Sequence, residues 1–142
     1  MAFDGPPEDR LAIRERLDAY GDAVMRKDVE AWIACWADDA TWVIRGQTLV
    51  GLETIRSAWL KAMERYAFVG FYTAQAAVAI TGDVALSQAH TLEFLVSHDG
   101  AERRQHGFYR DRLVRHGSAW LFAERAFDCL HPPSEPQPRS LP

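Results

Sequence analysis

Residues 69–130 read VGFYTAQAAVAI-TGD-VALSQAHTLEFLVS-HDG-AERRQHGFYRDRLVR-HGS-AWLFAERAFDCL. Three turn signals, each with a glycine, separate four long segments at 69–80, 84–97, 102–115 and 119–130. Short connections of this composition predict hairpins, so we expect a four-stranded antiparallel meander. Strands of about 12 residues exceed the usual five or six and must therefore coil strongly.

The first half of the chain predicts three helices. The apolar residues between positions 8 and 25 recur at helical spacing and predict a buried stripe: Ile13, Leu17, Tyr20 and Val24. Asp28 predicts the N-cap of a second, shorter helix that includes Trp32 and Trp36 and ends at Asp38-Asp39. Residues 40–44 predict a short strand, and a third helix follows Gly51.

Helices followed by long strands predict an α+β domain. A strongly curled sheet whose concave side is closed by helices leaves an internal cavity, which is a physical route to a ligand pocket. We assign residues 1–9 to an N-terminal extension and residues 10–131 to the domain. Residues 132–142, with five prolines in eleven positions, form a Pro-rich tail.

Composition excludes several functional classes. The chain of 142 residues is 48% hydrophobic and 25% charged, which fits a single packed domain. Its net charge of −4 argues against a nucleic-acid partner, which normally requires a basic surface. No apolar run approaches the roughly 20 residues that cross a bilayer. The first residues have neither a basic start nor an apolar run, so we expect no signal peptide and a cytoplasmic protein.

Several local patterns occur in a characteristic order between residues 11 and 130. They are residues 20–28, Trp36-Ala37-Asp38-Asp39-Ala40-Thr41, Gly51-x-x-x-Ile55, Gly82-Asp83-x-Ala85, and Tyr109-x-Asp111-x-Leu113-x-Arg115-x-Gly117-x-x-Trp120. Together they resemble the nuclear-transport-factor-two-like superfamily, in its SnoaL-like and ketosteroid-isomerase-like branch. The resemblance implies a cone-shaped α+β barrel with three N-terminal helices on the concave face of a strongly curved, mostly antiparallel sheet. It says little about function, because the superfamily includes isomerases, dehydratases, cyclases and binding proteins.

The resemblance also suggests roles for individual residues. Tyr20 looks like the tyrosine that donates to an oxyanion in ketosteroid isomerases, and Asp111 falls where those enzymes keep a protonated aspartic acid. The alternatives are a structural hydrogen bond for Tyr20 and a paired structural carboxylate for Asp111. Their general-base aspartate would fall on Ile44, which cannot take a proton. The dehydratases and dehydrochlorinases use an aspartate and a histidine that would fall near Met25 and on Phe71 or Tyr72.

His90 is the strongest catalytic candidate from the residues themselves. Strand alternation places it with Gln88 on a mainly apolar face, together with Val84, Leu86, Leu92 and Phe94. We expect this face to line the pocket, where a histidine suits general acid–base work near neutral pH. The alternative is a core histidine with a satisfied hydrogen bond.

The remaining candidate site residues are expected to form the pocket walls. Glu124 alternates with Trp120 and Phe122 and is either an inward acid or an ion-pair partner. The other wall candidates, each of which could equally be plain core, are Trp42, Trp59, Met63, Tyr72, Gln88 and Tyr109. An arginine-rich strand that includes Arg103, Arg104, Arg110 and Arg112 predicts a solvated or subunit-facing outer surface.

The sequence therefore predicts an enzyme for a small hydrophobic carbonyl compound, polyketide-like or steroid-like. We expect isomerisation, cyclisation or elimination, with Tyr20 and Asp111 holding the oxyanion and His90 moving the proton. No metal-ligand spacing or nucleotide motif occurs, so we expect neither a metal nor a cofactor. The alternative is a non-catalytic small-molecule-binding domain. A homodimer is expected because nothing in the chain covers the outer face of the sheet.

Overall fold

The computed structural model describes residues 2–133 and confirms the α+β fold. The elements are, in chain order, β1 (Phe3–Asp4), α1 (Pro7–Arg26), α2 (Val29–Ile33), β2 (Trp36–Ile44), β3 (Gln47–Val50), α3 (Leu52–Met63), β4 (Tyr66–Thr81), β5 (Val84–Ser97), β6 (Glu102–His116) and β7 (Ala119–His131). None of the helices in this range is both long enough and apolar enough to span a bilayer.

One seven-stranded sheet contains all the strands, in the order β1-β4-β5-β6-β7-β2-β3. The predicted meander β4 to β7 is antiparallel throughout, whereas β2 pairs with β7 in parallel. The sheet is curved and stays open, with β1 and β3 at its edges, so the cone is an incomplete barrel. The helices close its concave side.

The predicted helix stripe is confirmed, since Ile13, Leu17, Tyr20 and Val24 are all buried in α1. Asp28 caps α2 as expected, accepting a hydrogen bond from the backbone N–H of Ala31 at 3.0 Å. The helix ends at Ile33, however, and Trp36 to Asp39 belong to β2.

The difference at β2 has a tertiary cause. Trp36 pairs with Phe122 of β7, and the backbone N–H of Phe122 donates to the carbonyl of Cys35 at 2.9 Å. These contacts pull the segment into the sheet, and local helical preference cannot compete with them.

Near the N-terminus, Phe3 and Asp4 pair with β4, so part of the assigned extension joins the sheet. The Pro-rich tail beyond residue 133 lies outside the described residues.

Gly107 in β6 lets an aromatic side chain lie flat on the concave face. A Cβ at this position would meet the Phe127 ring at 2.1 Å and the Thr91 hydroxyl at 2.7 Å. The backbone of Gly107 has an ordinary conformation, so backbone strain does not explain the glycine. It is needed because any side chain at this position would collide with the Phe127 ring. Phe127 therefore packs directly over the strand backbone.

The variant Gly107→Ala tests this packing. We expect it to lower the free energy of unfolding by about 1–3 kcal/mol, the usual cost of overpacking, because the Phe127 ring must move. Urea denaturation measures the change. An unchanged midpoint would contradict the packing assigned to Phe127.

No element within residues 2–133 covers the convex face of the sheet, which is partly apolar. Tyr72, Leu92 and Phe68 are 59%, 48% and 50% exposed, and Phe108 lies near them beneath the Arg110 guanidinium. We therefore keep the prediction of a homodimer that buries this face.

Sedimentation velocity at micromolar concentration tests the homodimer. We expect a dimer that Phe108→Glu converts to a monomer, because a buried unpaired carboxylate is costly. Leu11→Glu is the matched control, since Leu11 is 58% exposed on α1, away from this face. A monomeric wild-type protein would show that the prediction is wrong.

Candidate functional site

A cavity of about 310 Å³ lies between the concave face of the sheet and helices α1 and α3. Seven aromatic side chains contribute to its lining: Tyr20, Trp42, Trp59, Tyr66, Phe71, Tyr109 and Phe127. A cavity of this size with an apolar wall and few polar groups is typical of a small-molecule site.

Glu93 is the acidic group of the cavity. It lies on the concave face of β5, in register with Phe71 on β4 and Gln105 on β6. Burial raises the pKa of its carboxyl, while a hydrogen bond donated by the Gln105 amide and the charges of Arg45, Arg103 and Arg125 oppose that shift. A carboxyl with a raised pKa in an apolar cavity can both accept and return a proton.

Two phenols, Tyr20 on α1 and Tyr109 on β6, enter the same cavity. Burial raises the pKa of Tyr20 to about 12, although the nearby charge of Arg125 lowers it. Burial likewise raises the pKa of Tyr109 well above its ordinary value, and the charge of Tyr20 adds to the effect. Both groups therefore stay protonated at neutral pH and can donate a hydrogen bond to a ligand oxygen.

A buried ion pair supports the two phenols. Arg125 on β7 donates to both carboxylate oxygens of Asp111 on β6, at 2.7 and 3.1 Å, and both side chains are at most 1% exposed. The guanidinium carbon lies 3.8 Å from the Tyr109 ring centre and 4.4 Å from that of Tyr20. Although burial favours the neutral form, the charge of Asp111 raises the pKa of Arg125, so it remains a cation.

Indole rings form a rigid wall beside the phenols. Trp32 stacks on Trp59 with 4.6 Å between ring centres, and Trp42 meets Trp32 edge-on at 5.5 Å. Trp32 also packs against Tyr20 at 5.5 Å. Contacts of this kind restrict the orientations that each ring can adopt.

Five of the predicted site residues line the cavity: Tyr20, Trp42, Trp59, Met63 and Tyr109. The cavity also includes Ile44 and Phe71; the resemblance implies a base at Ile44 and another at Phe71 or Tyr72. Apolar side chains therefore occupy the wall at both of those places.

The prediction that His90 lines the pocket is wrong. His90 lies on the convex face of β5, where its Nδ1 is 2.9 Å from Nε2 of His106, and Gln88 shares that face. Tyr72 is 59% exposed on the convex face of β4. The concave face of β5 instead carries small and polar residues, Ala85, Ser87, Ala89 and Thr91, followed by Glu93 and Leu95. Counting apolar residues misassigned the faces because the convex face is the more hydrophobic one.

The inward placement of Glu124 is also wrong, for a different reason. The pairing of β6 with β7 shifts between Arg112–Glu124 and Leu113–Phe122, which leaves Ala123 as an extra residue. A bulge of this kind reverses the facing of every later side chain. Glu124 therefore leaves the concave face, and Arg125 enters it.

Asp111 is buried, as a catalytic acid would be, but it does not line the cavity. The carboxylate is bonded to Arg125, which lies between it and Tyr20, so the expected contact of Asp111 with a ligand is absent. Sequence reasoning missed Glu93, Gln105 and Arg125. Correct facing of β5 would have identified Glu93, whereas no sequence signal marked the bulge that turns Arg125 inward.

Within residues 2–133, no three His, Cys, Asp or Glu side chains cluster closely enough to hold a metal ion. The polar side chains among the described residues that line the cavity are one carboxyl, three phenols, two amides and three cations at its mouth. Such a set can bind a carbonyl oxygen and move a proton beside it.

A family model described as a SnoaL-like domain matches residues 7–126. No curated protein matches the sequence. Among solved structures, a candidate aromatic ring hydroxylase from Novosphingobium aromaticivorans is 27% identical, with a TM-score of 0.84 over 91% of this chain and 94% of that one. A candidate dehydratase of the NTF2-like family from Streptomyces avermitilis is 17% identical, with a TM-score of 0.80 over 88% and 99% of the two chains.

A hexachlorocyclohexane dehydrochlorinase from Novosphingobium barchaimii is 16% identical, with a TM-score of 0.78 over 87% of both chains. At this identity the likeness concerns the fold alone. The fold is thus shared with proteins whose names refer to eliminations.

The ion pair beneath the phenols can be tested by stability. Arg125→Met leaves the Asp111 carboxylate buried and unpaired, so we expect it to lower the free energy of unfolding by about 3–5 kcal/mol. Adding Asp111→Leu removes the stranded charge and should restore part of the loss. Chemical denaturation of both single variants and the double variant measures the coupling. Additive effects of the two substitutions would contradict the pairing.

Proposed function

The chain belongs to the SnoaL-like domain family, and we propose that it is an enzyme that moves a proton on a small hydrophobic carbonyl compound bound in the central cavity. The reaction is an isomerisation, a cyclisation or an elimination. All three begin with the removal of a proton from carbon beside an electron-withdrawing group, so they need the same two elements: a base and a donor to the developing oxyanion.

The observation that carries the proposal is the placement of Glu93. Among the cavity-lining residues, all within the described chain, Glu93 is the single carboxyl, and no histidine accompanies it. Burial raises the pKa of Glu93 toward the range in which a general base works at neutral pH. Gln105 donates to the carboxylate and orients it.

The phenols supply the second element. When Glu93 takes a proton from the carbon beside the carbonyl, negative charge develops on the carbonyl oxygen. Tyr20 and Tyr109 can donate hydrogen bonds to that oxygen, and the Arg125 cation behind their rings stabilises the negative charge further. The protonated Glu93 then returns its proton to another carbon in an isomerisation, to the new alkoxide oxygen in an aldol-type cyclisation, or to the leaving group in an elimination, which restores the enzyme.

A binding domain without catalysis is the second candidate. Ile44 and Phe71 favour it, because both place apolar side chains in the cavity wall where related enzymes carry a base. The two candidates differ in one respect: only an enzyme accelerates proton removal from a bound ketone.

Solvent deuterium exchange into β-tetralone, followed by proton NMR in D₂O, tests the proposal without the natural substrate. We expect the protein to accelerate exchange beyond the buffer rate. Glu93→Gln should reduce the acceleration by about 10²- to 10⁴-fold, the usual share of a general base. Tyr20→Phe, which deletes one donor and keeps the ring, should reduce it by about 10²- to 10³-fold.

Glu124→Gln is the matched control, because it makes the same chemical change on the other face of the sheet and should leave the rate unchanged. Glu93→Gln should also melt at a higher temperature than the wild type at pH 7. The folded state holds the Glu93 proton more tightly than the unfolded chain, so ionisation above the unfolded pKa costs stability that glutamine does not lose. Binding of β-tetralone without accelerated exchange would support the binding domain and reject the enzyme.

A further inference from the structure

The mouth of the cavity is strongly basic. Arg45, Lys61 and Arg65 line its outer part, and beside it lies a recess of about 400 Å³ that shares Arg45 and Arg65 with the cavity. Arg103 completes the recess and donates to the hydroxyl of Tyr66 at 3.4 Å. We call Arg45, Lys61, Arg65 and Arg103 the basic mouth.

This concentration of positive charge contrasts with the chain as a whole, whose net charge is −4. Of the described residues that line the recess, Glu102 is the one that is acidic. Among the described residues, none of the four cations of the basic mouth takes part in an ion pair, whereas Arg110, Arg115 and Arg125 do. The cations at the mouth are therefore available to a ligand.

A structural explanation accounts for only part of the cluster. Lys61 lies in the last turn of α3 and Arg65 two residues beyond its end, where cations are favoured by the helix dipole. Arg45 lies in the turn between β2 and β3, and Arg103 lies on β6, so the helix dipole does not explain them. Arg45 also adopts a left-handed backbone with φ of 52°, in a two-residue hairpin turn where asparagine or glycine is normally preferred.

We propose that the basic mouth binds an anionic group of the ligand, a carboxylate or a phosphate ester, while the hydrophobic body of the same molecule occupies the cavity. The proposal rests on the function proposed above, because it names the substrate class of that site: an amphipathic acid. A neutral ring compound would leave the four cations unused.

The charges of the basic mouth also affect the pKa of Glu93, the proposed acid–base group. Burial raises the pKa of Glu93, and the charges of Arg45 and Arg103 are among those that oppose the rise. An anion bound between these arginines offsets their charge, so Glu93 becomes a stronger base when the ligand is in place.

Isothermal titration calorimetry with naphthoate, naphthyl phosphate and methyl naphthoate tests the proposal, because the three probes share one aromatic body. We expect at least one of the anions to bind tenfold or more tightly than the neutral ester, and the tighter anion identifies the group. If the basic mouth does not bind anions, the ester should bind more tightly than either anion, since a charged group is costlier to desolvate than an ester. Arg45→Gln with Arg103→Gln should abolish the preference and leave ester binding unchanged.

Arg104→Gln is the matched control, because Arg104 is exposed on the opposite face of the same strand and should not affect any of the three affinities. Tighter binding of the ester, or an anion preference that survives the double substitution, would overturn the proposal. Ester binding together with deuterium exchange would then still support the enzyme. Conversely, an anion preference without exchange would reject the enzyme and keep the basic mouth. No binding by any probe would overturn the basic mouth, and the deuterium exchange would then decide on the enzyme separately.

Discussion

The buried pair of Arg125 and Asp111 is the interaction on which the arrangement of the site depends. It links β6 to β7 at the centre of the sheet, where both side chains are almost completely shielded from water. The rings of Tyr20 and Tyr109 pack on the guanidinium, so the same cation positions a phenol from α1 and a phenol from the sheet. A buried charge pair needs such close partners, because it has lost its hydration.

Most of the fold could be predicted because its signals are local. Helical spacing identified the stripe of α1, Asp28 marked the start of α2, and glycine-containing turns separated the four long strands. The prediction failed where distant contacts override local preference. Residues 36–39 join the sheet because β7 pairs with them, and no periodicity within the segment indicates that partner.

The candidate site was predicted less completely, because facing depends on what covers each side of a sheet. Tyr20 and Tyr109 were found through helical spacing and strand alternation. His90 was chosen because its face of β5 is apolar, yet that face is the convex one, and the cavity face carries Glu93. The bulge at Ala123 changes the face on which the following side chains of β7 lie, so Arg125 rather than Glu124 is on the concave face. The sequence prediction therefore assigned the side chains of β5 and β7 to the wrong faces, and it placed the acid–base group on the convex side of the sheet.

The central claim is that Glu93 lies in a desolvated cavity and exchanges a proton there. Its carboxyl pKa can be measured directly by carbon-13 NMR titration of the glutamate side chains, with Glu93→Gln assigning the resonance. The account predicts a midpoint clearly above that of an ordinary glutamate, since burial outweighs the Gln105 hydrogen bond and the arginine charges. A midpoint at or below the ordinary value would show that water or the cations dominate, and would contradict the assignment of Glu93 as the group that moves the proton.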